Sequence, residues 1–168
     1  KLVPNNKIEG IKALGAEVRL IGANQDEAQL EADRLSIEEG MTYISPFDNI
    51  DVIAGQGTLG LEIHRQIPEL NFAFVPLSGG GLICGVAKAL KELNRNLKVI
   101  GVSMDRGAAM YEAQKAGKPI FVKEEESLAD ALTGGIGLDN KYTFQLTKQL
   151  VDEIVVVSEK EIADGIHY

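Results

Sequence analysis

The feature that most constrains this chain is the stretch Val75-Pro76-Leu77-Ser78-Gly79-Gly80-Gly81-Leu82. It continues a near-unbroken apolar run, Phe72 to Leu77, and leads into the helix-like segment Gly81 to Leu93. A short continuous apolar run predicts a strand buried on both faces, as in a parallel sheet. Three consecutive glycines let the backbone reach positive φ and approach a ligand closely. The helix start behind them offers unpaired N–H groups at the positive end of the dipole. A glycine turn of this kind before a helix start is a recipe for holding a phosphate. A tight strand-to-helix turn without a ligand is the competing reading. So is a loose dinucleotide fingerprint, Gly79-x-Gly81 with Gly85, in which Asp105 would meet the ribose. Against the fingerprint, Ser78 and Pro76 crowd the turn, and Asp105 falls past the end of its strand.

Helices and strands alternate along the rest of the chain. Asn6 and Glu9 resemble a capping pair, and Gly15 ends that helix. Glu17 to Ile21 reads as a short strand, and Gln25 to Glu39 as a helix stopped by Gly40. Ile50 to Ile67 is helical up to Pro68. Val99 to Val102 is a strand, Ala108 to Ala116 a helix, Tyr142 to Leu150 a helix and Ile154 to Val157 a strand. Ser158 and Glu161 form a capping box for a last helix. This alternation predicts an α/β fold, a parallel twisted sheet with helices on both faces. Phe72 to Val75 and Val99 to Val102 are expected as neighbouring parallel strands joined through the helix Gly81 to Leu93. Lys118 to Asn140 is the least regular region, and its acidic run Glu124-Glu125-Glu126 reads as a solvated surface.

Ala54-Gly55-Gln56-Gly57-Thr58-Leu59-Gly60 places three glycines inside one helix. Each costs roughly 1 kcal/mol relative to alanine. The simplest compensation is another backbone packed closely against that face. Glu62 on the same helix reads as solvated or ion-paired rather than as a catalytic acid. Cys84 reads as a buried structural thiol. His64 and His167 stand apart without ligand spacing, so no metal site is expected.

The chain has 168 residues, with 17 Lys and Arg against 25 Asp and Glu, a net charge of −8. That charge argues against a nucleic-acid partner. The single Cys excludes an intrachain disulfide framework and suits a reducing, cytoplasmic compartment. No apolar run approaches the roughly 18 residues of a membrane span, and no signal peptide is visible. The chain opens on Lys1 in mid-phrase and closes inside a helix, which reads as a piece of a longer protein.

Pro46-Phe47-Asp48, Asp51-Val52-Ile53-Ala54-Gly55-Gln56-Gly57-Thr58, Val75 to Leu82 and Leu128-Ala129-Asp130 together resemble the threonine dehydratase and serine racemase group. These are pyridoxal 5′-phosphate enzymes of fold type II, the tryptophan synthase β-like fold. The resemblance covers nearly the whole chain, in order and spacing. Gly101 to Met110 and Gly134 to Asn140 are similar to the dehydratase-like branch associated with ectoine and hydroxyectoine breakdown.

The resemblance implies an incomplete fold type II protein. Residues 1–47 would be the C-terminal part of the small domain, and 48–168 the central part of the large cofactor-binding domain. Ser78 to Leu82 would hold the phosphate of pyridoxal phosphate through backbone N–H groups, and Ala129-Asp130-Ala131 would lie beside the cofactor. The implied reaction is dehydration or ammonia elimination from a small hydroxy amino acid or an ectoine-derived compound, in a homodimer or higher homo-oligomer. The family's S-x-K-x-R lysine segment, its S-G-N-H loop and its late Ser or Thr are not found in these 168 residues. Ser158-Glu159-Lys160 matches S-x-K only by accident. No catalytic residue is therefore assigned here. Where some relatives place two metal-binding acids, this chain has Ser103 and Ala109, which implies loss of that site. A non-catalytic α/β module for a phosphorylated ligand, and a dinucleotide-dependent oxidoreductase, are the alternative functions.

Overall fold

The computed structural model describes residues 3–168. Lys1, the expected mid-phrase start, lies outside the described residues. The chain divides into two compact units, one ending at Tyr43 and the other running from Ile44 to Tyr168.

The first unit holds two helices, α1 (Asn5–Ala13) and α2 (Gln25–Glu38). The expected Asn6–Glu9 capping pair does not form. Pro4 is the N-cap without a side-chain bond, and Glu9 pairs with Lys12 at 3.4 Å instead. Gly15 adopts φ +86° behind α1, and Gly40 φ +66° behind α2, as glycines that terminate helices do. The Asn24 side chain accepts from the Glu27 N–H at 2.9 Å and caps α2. The expected strand at Glu17–Ile21 is absent. A strand needs a neighbour to satisfy its backbone, and this unit contains two helices and no described strand.

The second unit carries the sheet. Its order is α3 (Ile50–Gln66), β1 (Phe72–Pro76), α4 (Gly81–Leu93), β2 (Lys98–Met104), α5 (Ala109–Ala116), α6 (Thr143–Leu150), β3 (Glu153–Val157) and α7 (Glu159–His167). The three strands are parallel in the order β1-β2-β3. Ala73 pairs with Val99 and Val75 with Gly101, so the expected neighbours are neighbours in the expected direction. Ser158 and Glu161 form the anticipated capping box. Lys118 to Asn140 is irregular apart from a short 3₁₀ turn at Asp130–Leu132.

The core lies where α4 meets the sheet, α5 and α6. Leu77, Ile83, Leu90, Val99, Met104 and Met110 are almost fully buried there. The expectation that β1 is buried on both faces needs correction. Ala73 and Val75 are buried, but Phe72 and Phe74 are 56% and 69% exposed. The apolar run reports what both faces favour, whereas only one face meets other residues here.

The glycines of α3 behave as expected at two of three positions. A β-carbon at Gly57 would sit 3.4 Å from the Gly85 carbonyl, and one at Gly60 would sit 2.9 Å from the Val86 carbonyl. They let the α4 backbone come close. Gly55 faces open space.

Candidate functional site

The site is built at the end of β1. The Leu77 N–H still donates to the Val102 carbonyl at 2.8 Å, so the sheet guides the chain up to the turn. Ser78 is half-buried and Gly79, Gly80 and Gly81 are buried. Gly80 adopts φ +93° and is the N-cap of α4. Glycine reaches that region of φ without the β-carbon clash that other residues incur. The first bond of α4 runs from the Cys84 N–H to the Gly80 carbonyl at 2.9 Å. Gly80 has no side chain to cap the helix, so the orphan N–H groups of the first turn receive no side-chain cap.

Each glycine is also fixed by its neighbours. A β-carbon at Gly79 would lie 2.3 Å from the Phe47 ring, and one at Gly81 would lie 2.9 Å from Phe47 Cα. On the other side, a β-carbon at Gly80 would meet Thr143 Cβ at 3.0 Å and Met110 Cε at 3.1 Å. So the steric need for Gly80 comes from φ and the core, not from the ligand side of the turn.

The α6 start is held nearby. Asp48 Oδ1 accepts from the Tyr142 and Thr143 N–H groups at 2.8 and 2.9 Å, and Oδ2 accepts from the Lys141 N–H at 2.6 Å. Cys84, one turn into α4, is fully buried with its Sγ 3.5 Å from Thr147 Oγ1. Burial, and secondarily the Asp48 charge, push its thiol up to about 11. It stays protonated at neutral pH and is no nucleophile.

No basic side chain serves the turn from α4. The first turn of that helix is uncharged, and Lys88 Nζ is exposed and paired with Glu92 at 2.5 Å. From α4 an anion here would meet backbone N–H groups and no side-chain cation. Those donors, a closely packed glycine turn and an uncapped helix fit a phosphate group, and so fit the phosphate end of pyridoxal phosphate.

A family described as pyridoxal-phosphate dependent enzyme matches residues 1–168. The chain belongs to this family. It is 53% identical over 167 residues to a Sinorhizobium fredii protein that carries the provisional name threonine dehydratase, covering 99% of this chain and 50% of that protein. It is 40% identical over 166 residues to the L-threonine ammonia-lyase of Thermotoga maritima, covering 99% and 41%. Maize serine racemase superposes with a TM-score of 0.86 at 31% identity, covering 96% of this chain and 50% of the other. The chain thus spans half or less of the length of these relatives. The incomplete fold type II architecture expected from the motifs is the family's.

Among the described residues, other sequence candidates are not drawn together. Gly85, needed by the dinucleotide fingerprint, is used up in helix packing: a β-carbon there would lie 2.3 Å from the Ile53 carbonyl. Asp105 is exposed and pairs with Arg106. Glu62 is exposed. Lys160 is 83% exposed at its side chain and pairs with Asp164, beside the Ser158 cap, so it is no Schiff-base lysine. The Leu128 N–H, just before Ala129-Asp130-Ala131, donates to Glu159 Oε2 at 2.9 Å. Among the described residues no group of three His, Cys, Asp or Glu could hold a metal, and Ser103 and Ala109 are both buried. No helix among them is long and apolar enough to cross a membrane. What sequence reasoning missed is the part played by Phe47 and Asp48. The motif Pro46-Phe47-Asp48 was visible, but nothing local says that it reaches residues 79–81 and 141–143.

Proposed function

We propose that the whole protein is a pyridoxal phosphate-dependent dehydratase, an ammonia-lyase acting on a small hydroxy amino acid. The observation that carries this reading is the uncapped start of α4 behind Gly79 and Gly80, in a chain matched along its length to pyridoxal-phosphate dependent enzymes. When bound, pyridoxal phosphate supplies an electron sink for breaking bonds at the amino acid's α-carbon. The residues of this chain bind and orient. Backbone N–H groups from Ser78 to Leu82 hold the phosphate, and φ of Gly80 aims them. Fixing the phosphate fixes where the ring lies. The lysine that moves the α-proton is not assigned to any residue here.

The finer reading of the substrate is an ectoine-derived compound, supported by the likeness of Gly101–Met110 and Gly134–Asn140 to that branch. Residues 1–47 are read as the end of the small domain and 48–168 as the middle of the large one. A cytoplasmic homodimer or higher homo-oligomer completes the proposal.

The test is the full-length protein loaded with pyridoxal phosphate and offered L-threonine, L-serine and ectoine-derived compounds. Release of ammonia with a 2-oxo acid is expected from at least one. Racemisation without ammonia release would favour a serine racemase-like reaction. Retention of the phosphate compound with no turnover of any of them would favour the non-catalytic binding module.

A further inference from the structure

We propose that Phe47 and Asp48 are positioning residues for the phosphate cradle, clamping the glycine loop between two walls that one dipeptide ties together. The proposal rests on the reading of Gly79 to Leu82 as that cradle.

The loop is held from both sides. Phe47 forms one wall: its ring closes on Gly79, and its backbone closes on Gly81. Thr143 and Thr147 of α6, with Met110 of α5, form the other against Gly80. An N–H group points where its peptide plane points, so the two walls set the direction of the cradle's donors. Backbone cradles depend on such alignment, because each hydrogen bond weakens steeply as its angle departs from linear.

Asp48 joins the walls. Its backbone follows Phe47 directly, while its carboxylate takes three N–H groups at the start of α6. The N-cap of α6, Tyr142, offers no side-chain bond of its own, and Asn140 takes only the Phe144 N–H, at 2.8 Å. Without Asp48, α6 would present free N–H groups next to those of α4. Asp48 fills that second set with an internal anion. An incoming phosphate is left with the α4 start, whose N-cap is a glycine.

The experiment titrates inorganic phosphate into cofactor-free, ¹⁵N-labelled full-length protein and follows the amides of Gly79 to Leu82. Wild type, Phe47→Ala, Phe47→Leu, Asp48→Ala and Asp48→Asn are compared below their thermal midpoints. The two alanine variants should bind phosphate at least about tenfold more weakly, a change of about 1.4 kcal/mol. The two conservative variants should lie between them and wild type. In Asp48→Ala, phosphate should also shift the Tyr142 and Thr143 amides, which a merely structural role would not produce. If an alanine variant is unfolded, its conservative partner decides the matter in the same direction. Folded variants with wild-type phosphate affinity would overturn the positioning role while leaving the cradle standing. Wild type with no phosphate-dependent shift at Gly79 to Leu82 would overturn both.

Discussion

Gly85 on α4 is pressed against Gly57 on α3, so that a β-carbon on Gly85 would lie 2.7 Å from the Gly57 nitrogen and 2.3 Å from the Ile53 carbonyl. Both contacts are backbone, which cannot swing aside as a side chain can. The relation is not symmetrical. A β-carbon on Gly57 would meet the Gly85 carbonyl at an ordinary 3.4 Å, and one on Gly55 would meet nothing.

These differences predict opposite signs within one helix pair. Gly85→Ala gains up to about 1 kcal/mol of helix propensity but forces α3 and α4 apart, an overpacking cost of about 3 kcal/mol or more. It should destabilise the fold by roughly 2 kcal/mol or more. Gly55→Ala has only the propensity gain, and should stabilise by about 0.5–1 kcal/mol. Urea unfolding of the two variants checks both. Equal effects would show that the helices do not meet as described.

Cys84 should be chemically silent in the folded protein. Its thiol is pushed up to about 11 from an ordinary 9.0, chiefly by burial. Iodoacetamide at pH 8 should label it only after unfolding. The linkage runs in one direction. Because the folded thiol ionises later than the unfolded one, its contribution to stability is complete below pH 9.0 and is lost as pH rises towards about 11. Cys84→Ala should flatten that part of the pH–stability curve while lowering stability throughout by the cavity it leaves.

Asp152 gives the acid-side counterpart. Burial opposes its ionisation, but hydrogen bonds from Lys91, the Val99 N–H and Lys98 outweigh that and hold the carboxyl down to about 2, from an ordinary 3.8. The three bonds measure 2.6, 2.9 and 2.9 Å and tie the start of β3 to α4 and β2. A lowered folded value means stability that is present above pH 3.8 and lost as pH falls through about 2. Asp152→Asn should cost roughly 1.5–3 kcal/mol at neutral pH, the range for hydrogen bonds to a charged group. It should also weaken the fall in stability at acid pH, read by thermal unfolding at pH 7, 4 and 2.

The signals legible in the sequence were local ones. The Ser158–Glu161 box, the helix-ending Gly15 and Gly40, and the strand-to-glycine-to-helix order at Phe72–Leu93 each lie within a few residues of what they determine. The glycines of α3 announced a close neighbour without naming it. Phe47 and Asp48 carried no such signal, because their partners lie far along the chain, in the Asp48 case 93 to 95 residues away. Glu17–Ile21 failed for the converse reason. Its local β character was real, but the described residues of the first unit supply no neighbouring strand. Phe72 and Phe74 show the same limit, since residue type states what a face favours and not what meets it.

The cradle itself predicts a contrast between Gly80 and Lys88. With φ +93°, a β-carbon at Gly80 imposes a left-handed strain of about 1–2 kcal/mol. It also crowds Thr143 and Met110 at 3.0–3.1 Å, which adds a further cost of about 1–3 kcal/mol. Relaxing either strain rotates the peptides that carry the Gly80 and Gly81 N–H groups. Gly80→Ala should therefore lower both stability and phosphate affinity, and Gly80→Val more so. Lys88 points to Glu92 and sits about two turns into α4. Lys88→Ala should leave retention of pyridoxal phosphate within about twofold of wild type, since losing an exposed ion pair changes little. All three variants of the full-length protein can be followed by the absorbance of bound cofactor after dialysis. Loss of cofactor from Lys88→Ala with full retention by Gly80→Val would mean that a side-chain cation, not the backbone, holds the phosphate.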